Sequence, residues 1–312
     1  MASSHLRKLL RAANIDPWKA DIDLCDQAIN AENLRNSTRK NYSSFLKLFA
    51  SYLATYQNGT SFQSVTLQQL QEYVIYLRDQ ECLSANTING YLAAIRKMFH
   101  VVRNEDLTKR QLPDLKVDVA LPRIPSPKEV SAMLQHCDTL QMSLLISLLV
   151  STGMRLCEAL NLRFSDVRRA DGLIHIASSK GRAEGDVPLI EQIVDLLTRY
   201  VQEHNAQSPG NSLQPNDYIF FNESRTSHIP AHVLRARFKK IQEDTGIQTP
   251  YGFHAFRHFF AYHLYLESHD IILVKTALRH KTFAATWVYI RMAAAVDMQS
   301  KYKNPFSLVV LT

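Results

Sequence analysis

YGFHAFRHFFAYHLYLESHDIILVKTALRHKTFAATWVYIR, residues 251–291, is the most informative stretch of this chain. His254 is followed three residues later by Arg257, and His280 is followed nine residues later by Tyr289. Guanidinium groups match phosphate oxygens and stay charged, histidine moves protons near neutral pH, and a tyrosine hydroxyl can hold a phosphate covalently. This set of side chains therefore points to chemistry on a phosphodiester.

A second arginine, Arg155, lies upstream in the segment STGMRLCEALNL. By itself, Arg155 is typical of a surface arginine that pairs with Glu158 on the same face of a helix. The same pair can also act in a site, where Glu158 orients the guanidinium so that its fork faces a phosphate. Two arginines, two histidines and a tyrosine suffice to break a phosphodiester without a metal.

The histidine spacing in this stretch allows one competing interpretation, a zinc-binding helix. His254 and His258 are four residues apart, but Ala255 stands where such a helix needs its glutamate. Arg257 between them would also repel a cation. The sequence therefore predicts no metal site and no cofactor, and it predicts a packing or pairing role for His258.

The composition is that of a globular chain with a polyanionic partner. The chain has 312 residues, of which 46% are hydrophobic, so its length favours two domains. A net charge of +7 fits nucleic acid, and no stretch is long enough to span a membrane. Four separated cysteines without a CxxC pair indicate free thiols in a reducing compartment; they are Cys25, Cys82, Cys137 and Cys157.

Hydrophobic periodicity predicts helices in the first part of the chain. Apolar residues recur at helical spacing over residues 38–56, after a cap at Thr66, and after Ser84 or Asn86. The first fifteen residues contain bases and no acid; we expect an amphipathic first helix there, with an organellar presequence as the alternative. Four prolines in residues 112–127 break the helical pattern and predict a linker.

The second part of the chain predicts mixed structure. Ser126 is expected to cap a helix that has Pro127 at its first position and Glu129 in its first turn. Helices are also favoured over residues 140–150, 155–162, 191–204 and 230–245, and in segments starting at His254, Asp270 and about Thr286. Residues 172–178 and 187–189 favour two strands of a hairpin with Lys180 near its tip. We therefore expect a mainly α protein with a small β-sheet, organised as an all-α N-terminal domain (1–112), a linker (113–125) and a mixed α/β C-terminal domain (126–312).

Taken together, these features resemble the tyrosine recombinase family, which includes the phage integrases and the Xer-like enzymes that resolve chromosome and plasmid dimers. The resemblance rests on TGMRLCEAL, a lysine in a hairpin turn, HxxR, a histidine 23 residues later and a tyrosine nine residues beyond it. It implies a site-specific recombinase that cuts and rejoins DNA through a 3′-phosphotyrosyl intermediate. It also implies that the N-terminal domain is the core DNA-binding domain and that residues 126–312 form the tyrosine recombinase catalytic domain with a C-terminal tail. A nicking-closing enzyme like a type IB topoisomerase and a non-catalytic DNA-binding relative are the alternatives.

The resemblance assigns a role to each residue of the motif. Arg155, Arg257 and His280 would surround the phosphate oxygens. Tyr289 would be the nucleophile, with His254 as base or orienting donor. Lys180 would protonate the leaving 5′ oxygen, although Arg182 nearby is a second candidate for that role.

Basic residues elsewhere become candidate DNA contacts once this resemblance is accepted. They are Arg39, Lys40, Arg96, Lys97, Arg182, Arg235, Arg237, Lys239 and Arg279. Arg279 stands where the family motif usually has glycine. Arginine adopts a positive φ poorly, so the departure puts the family's local turn in question, and a phosphate contact from Arg279 is the alternative.

The resemblance also implies partners. Recombination joins two duplexes, so we expect a homotetramer on double-stranded DNA with a dimer at each site. The apolar tail, residues 306–312, is expected to dock on a neighbouring subunit. The bacterial nucleoid is the expected location, with a nucleus or an organelle as alternatives, and no membrane association is expected.

Overall fold

A computed structural model describes residues 13–32, 34, 36–117, 121–177, 184–208, 210 and 212–301, with side chains up to residue 294. The chain divides into two compact units, Met1–Val119 and Ala120–Thr312. This division falls inside the residues predicted as a linker, while the domain limits themselves stay a prediction. None of the described helices is long and apolar enough to cross a membrane.

In the part of the N-terminal unit that the structure describes, there are four α-helices. They are α1 (Asp16–Ala31), α2 (Asn36–Tyr56), α3 (Leu67–Ile75) and α4 (Ala85–Met98), and π-helical turns at Tyr76–Gln80 and Phe99–Arg103 extend the last two. The predicted caps are present, since Thr66 and Ser84 each accept a backbone N–H of the helix that follows. Aromatic rings fill much of the core, with Phe49 between Phe62 and Tyr73.

Helix α1 was not predicted as a separate element. The amphipathic helix expected in the first fifteen residues lies outside the described residues except at its end, where Ala13 is in a bend. The helix that the structure describes begins at Asp16, with proline in its first turn, and buries Trp18, Ile22, Cys25 and Ile29. That spacing is helical, and Pro17 is compatible with a helix start because the first turn needs no backbone N–H donor.

The C-terminal unit contains eight α-helices among the described residues. They are α5 (Pro127–Gln135), α6 (Leu140–Thr152), α7 (Leu156–Leu160), α8 (Glu191–Gln207), α9 (Ala231–Asp244), α10 (His254–Ser268), α11 (Ile271–Ala277) and α12 (Trp287–Lys301). Ser126 and Glu129 form a reciprocal capping box at the start of α5, as the sequence predicts. Helix α6 is apolar on most of its surface because α8 and α10 both pack against it.

The sheet of this unit is small and antiparallel, in the order β1 (Val167–Arg168), β2 (Leu173–Ile176), β3 (Gly185–Pro188). Strand β3 begins two residues earlier than the hydrophobic pattern predicts. Asp186 lies opposite His175 and accepts a hydrogen bond from its ring, so polar residues extend the ladder. The tip of this hairpin, residues 178–183, carries Lys180 and Arg182 and lies outside the described residues.

Gly153 ends helix α6 in a left-handed conformation with φ of +61°, and an added Cβ would lie 2.3 Å from the ring of Phe260. We expect Gly153→Ala to destabilise the protein by the left-handed strain plus about 1–3 kcal/mol of overpacking. Gly172→Ala is the matched control, because Gly172 has φ of +66° but open space around it. It should lose only the strain, about 1–2 kcal/mol. Urea unfolding measures both, and equal losses would contradict the steric argument.

Candidate active site

Arg155 is held by the start of helix α7. The sequence placed Arg155 inside this helix, but the structure makes it the N-cap, with an extended backbone. The helix starts later because the Glu158 carboxylate accepts the backbone N–H of Arg155 at 2.9 Å and thereby caps the first turn. The other carboxylate oxygen of Glu158 accepts a hydrogen bond from the Arg155 guanidinium at 2.7 Å. Glu158 therefore orients the guanidinium of Arg155, as predicted, while the Arg155 side chain stays 27% exposed.

Glu158 is buried and joins two arginines. Arg279 donates to the same carboxylate oxygen that caps Arg155, at 2.8 Å, so the carboxylate lies between two guanidinium groups. Burial alone would raise the pKa of Glu158, but the hydrogen bonds from Arg155 and the charge of Arg279 lower it below its ordinary value. Glu158 thus stays ionised and can orient Arg155 at neutral pH.

Arg279 adopts a positive φ of +54°, so the turn that the family makes with glycine is kept although arginine stands there. Its side chain is only 6% exposed, and the guanidinium also donates to the backbone oxygen of Ala277. The sequence analysis grouped Arg279 with the DNA contacts; the structure instead gives it a buried carboxylate partner. The cost of the left-handed backbone is offset by this ion pair.

We expect Arg279→Met to destabilise the C-terminal unit by about 1.5–3 kcal/mol, the usual worth of a hydrogen bond to a charged group. Lys281→Met, a change of an exposed cation two residues later, is the control. Because the folded pKa of Glu158 lies below its ordinary 4.5, the ion pair stabilises at neutral pH and is lost as pH falls through the folded value. Thermal unfolding from pH 7 to 3 should show the gap between the variant and the control closing; a gap independent of pH would contradict this role.

Arg257 is the most buried of the predicted site residues that carry a charge. It is 1% exposed, and its guanidinium donates to the backbone oxygens of Gly153, at 2.7 Å, and of Leu278. Burial, followed by repulsion from Arg155, lowers the pKa of Arg257 to about 10, so it remains charged at neutral pH. Gly153 lies two residues before Arg155, and Leu278 lies two residues before His280. The buried guanidinium of Arg257 therefore binds the two segments that carry these site residues.

His280 lies at the end of the turn after helix α11. Its Nδ1 is 2.9 Å from the hydroxyl of Thr286, which is fully buried just before helix α12. Burial and the charges of Arg257 and Arg155 lower the pKa of His280 to about 4, so the ring is neutral near pH 7. Its Nδ1 contact connects the turn to the first residues of the tyrosine helix.

Tyr289 lies on helix α12 and is 1% exposed. Its ring packs in a small apolar cluster with Ala261, Val274 and Leu278. Burial raises the pKa of Tyr289 to about 12, although the positive charges of Arg257 and Arg155 act in the opposite direction. The phenol is therefore neutral, and the two arginines are close enough to influence it.

His258 is a site residue whose role the sequence analysis missed. Its Nδ1 lies 3.0 Å from the Tyr289 hydroxyl oxygen, and its ring meets that of His254 edge-on at 4.6 Å. The signal was the spacing of four residues from His254, which places both rings on one face of helix α10. Because this spacing lacks the glutamate of a zinc motif, the sequence predicts only a structural packing or pairing role for His258. Among the described residues no cluster of three potential metal ligands occurs.

His254 is the exposed member of this pair. It opens helix α10 and lines a depression of about 490 Å³ together with Arg155, Arg235 and Lys239. Partial desolvation, followed by the charges of Arg257 and Arg155, lowers the pKa of His254. Two of the predicted DNA contacts, Arg235 and Lys239, therefore lie in the same depression as two predicted catalytic residues. Arg237 is also exposed but lines a different depression.

The four predicted DNA contacts of the N-terminal unit fall into two groups. Arg39 and Lys40 line a depression of about 310 Å³. Arg96 and Lys97 are largely enclosed, and each forms an ion pair, with Asp114 and Glu32 respectively. The structure thus favours the first two as DNA contacts over the second two, which hold the helical unit together.

Both units of the chain match families of known proteins. Residues 125–295 match the phage integrase family, and residues 22–117 match the phage integrase SAM-like domain. The tyrosine recombinase XerD of Listeria monocytogenes serotype 4b (strain F2365) is 26% identical over 284 residues, covering 87% of this chain and 93% of that protein. The tyrosine recombinase XerC of Oceanobacillus iheyensis is 26% identical over 271 residues, covering 83% and 86%.

Solved structures have the same fold. A structure of the XerH recombinase in a post-cleavage complex with palindromic difH substrate superposes with a TM-score of 0.65 at 22% identity, covering 95% of this chain and 94% of that one. A lambda integrase dimer bound to a COC′ core site superposes with a TM-score of 0.66 at 16% identity, covering 86% and 94%. The predicted fold class, mainly α with a small β-sheet, is confirmed.

Proposed function

The chain belongs to the phage integrase family, and from this premise we propose that it is a site-specific DNA recombinase. It cuts and rejoins double-stranded DNA through a 3′-phosphotyrosyl intermediate. The proposal depends on the environment of the buried Tyr289. The charges of Arg155 and Arg257 act on its phenol, and the ring of His258 contacts its hydroxyl. This arrangement supports strand cleavage and rejoining. So does the similarity to tyrosine recombinases, because the chain aligns with them over most of their length.

The chemistry follows from the charges. Attack on a phosphodiester adds negative charge to the non-bridging oxygens, and preorganised donors stabilise that charge without reorganising during the reaction. Arg155 is held by Glu158 and Arg257 by two backbone oxygens, so both guanidinium groups are preorganised. Tyr289 attacks, and a 5′ hydroxyl leaves. Because the phosphotyrosyl bond conserves the energy of the phosphodiester, rejoining needs neither ATP nor a metal.

The leaving group needs a proton donor. Lys180 is proposed for this role, with Arg182 as the alternative, and His254 and His280 are proposed as donors to the phosphate oxygens. The two basic candidates lie in the hairpin tip outside the described residues. A substrate with a 5′-sulfur leaving group separates them, because sulfur leaves without general-acid help and should rescue only the variant that lacks the true donor.

The proposal is tested with a nicked duplex that covers the DNA flanking the protein's own gene. A nick close to the cleavage position lets a short strand diffuse away, so a covalent protein–DNA adduct accumulates. We expect an adduct that resists denaturant and maps to Tyr289. Relaxation of supercoiled DNA without site preference would instead favour a nicking-closing enzyme.

Assembly is the second part of the proposal. Exchange of strands between two duplexes requires four protomers, two at each site. We propose that residues 306–312, with the sequence FSLVVLT, dock on a neighbouring protomer, because burial of an apolar segment in a pocket is favourable. The relatives named above are bacterial, which supports the bacterial nucleoid as the location.

Deletion of residues 306–312 is expected to leave DNA binding by single protomers unchanged and to reduce assembly on two sites and recombination. Replacement of the tail apolar residues by serine at the same length is the matched variant, since it separates apolar docking from chain length. Analytical ultracentrifugation of the protein–DNA complexes measures the assembly. Unchanged assembly and recombination in both variants would show that the tail packs elsewhere.

A further inference from the structure

The hydroxyl of Tyr289 forms a hydrogen bond in a closed environment. Its partner is Nδ1 of His258, at 3.0 Å, and the tyrosine is 1% exposed. His258 is half-buried on helix α10, and its ring is tilted toward the tyrosine ring with centroids 5.8 Å apart. The oxygen of the proposed nucleophile therefore has an imidazole nitrogen within hydrogen-bond distance.

The protonation states allow this hydrogen bond to run from the phenol to the imidazole. Burial, followed by the charges of His254 and Arg257, lowers the pKa of His258 to about 4, so its ring is neutral near pH 7. Burial raises the pKa of Tyr289 to about 12, so the phenol keeps its proton. A phenol that carries its proton can donate to the free nitrogen of a neutral imidazole. In the tautomer that carries its proton on Nε2, His258 accepts this hydrogen bond at Nδ1.

We propose that His258 is a catalytic residue that takes the phenol proton of Tyr289 during strand cleavage and returns it during rejoining. This inference rests on the proposed function. It assigns the proton acceptor to His258 instead of His254, because the hydrogen bond to the phenol oxygen comes from His258. His254, exposed in the depression that also contains Arg155, then remains a donor to the phosphate.

The proton and electron balance is complete without a co-reactant. The O–H bond of Tyr289 breaks and its proton moves to Nδ1 of His258, while the phenol oxygen forms a bond to phosphorus. The bond between phosphorus and the 5′ oxygen breaks, and that oxygen takes a proton from the leaving-group donor. In rejoining, a 5′ hydroxyl attacks phosphorus and gives its proton back to the leaving-group donor, while the departing phenol oxygen recovers its proton from His258.

The charges around His258 explain how it becomes a better base when DNA binds. Arg257 and His254 face it from its own helix, and Tyr289 and His280 are the titratable neighbours from helix α12 and the preceding turn. Helix α6, which packs on α10, has no titratable side chain. An anionic phosphate beside Arg257 offsets the cation that lowers the pKa of His258, so the imidazole becomes more basic as the substrate arrives.

The first test measures single-turnover cleavage of the nicked duplex between pH 5 and 10 by wild type, His258→Asn and His263→Asn. Asparagine keeps a polar atom near Nδ1 but cannot take a proton. His263 is the matched control, because it lies on the same helix against Phe259 and Tyr262. We expect His258→Asn to be slower by about 10²- to 10⁴-fold at pH 7 and to recover as pH rises toward the pKa of the phenol. The control should match wild type.

A fluorinated tyrosine at position 289 sharpens this test, because fluorine lowers the pKa of the phenol. It should restore part of the lost rate in His258→Asn. A cleavage rate unchanged by His258→Asn, or a loss that neither high pH nor the fluorinated tyrosine relieves, would overturn the proposal. If wild type itself forms no adduct, the proposed function fails, which is a different outcome from an adduct that is insensitive to residue 258.

The second test needs no change at position 258. Nitrogen NMR of the histidine rings in the wild-type protein reports which ring nitrogen carries the proton, and Tyr289→Phe identifies the His258 signal by its shift. The proposal requires the proton on Nε2 and a free Nδ1 that accepts from the phenol. A proton on Nδ1 would make His258 a donor to the phenol oxygen, and the proposal would be wrong.

Discussion

Tyr289→Phe is expected to remove covalent attachment to DNA completely while the protein still binds its site. The phenol oxygen is the proposed nucleophile, so no residual route to the phosphotyrosyl intermediate remains in the variant. The phenyl ring keeps its packing against Val274 and Leu278. The nitrogen of His258 loses its partner, which costs roughly 1–3 kcal/mol of stability. Denaturing electrophoresis of the nicked-duplex reaction measures the adduct, and a mobility shift measures binding.

Tyr262→Phe is the matched control for this prediction. Tyr262 is buried in the same apolar cluster as Tyr289 and lies on helix α10. Its replacement should leave adduct formation intact, because the proposed mechanism gives its hydroxyl no role. Adduct formation by Tyr289→Phe would assign the nucleophile to another residue and would remove the basis of the proposed site.

The second large effect is expected at the arginines, where rate and stability should separate. Arg155→Ala should slow cleavage by about 10²- to 10³-fold, the usual loss when one preorganised donor to a developing charge is removed. Its effect on folding should be smaller, because Glu158 keeps Arg279 as a partner. Arg155→Lys should be intermediate in rate, since lysine keeps the charge but not the fork.

Arg257→Ala should lose both activity and stability. The Arg257 guanidinium donates to the backbone oxygens of Gly153 and Leu278 inside the protein, and its removal leaves both acceptors unpaired around a cavity. Unpaired buried groups cost about 1–3 kcal/mol each. Single-turnover cleavage and urea unfolding of the two alanine variants test the contrast. An Arg155→Ala variant as unstable as Arg257→Ala would mean that Arg155 has chiefly a structural role.

Local patterns predicted most of the helices correctly. Thr66, Ser126 and Asp270 cap the helices that the sequence assigned to them, because a cap is satisfied by backbone groups two or three residues away. Apolar spacing located helices α2, α6 and α9 for the same reason, since the period of a helix is a local property. The pattern failed where polar residues continue a strand, as at Asp186.

The sequence by itself also determined the candidate site residues, because their types and their order match phosphodiester cleavage by a tyrosine. Only the tertiary structure decided how they pair. Arg279 meets Glu158 across 121 positions of the chain, and Arg257 meets the oxygen of Gly153 across 104. The contact between His258 and Tyr289 joins two helices 31 positions apart. Such contacts depend on how helices pack around a shared core, and no local spacing encodes that packing.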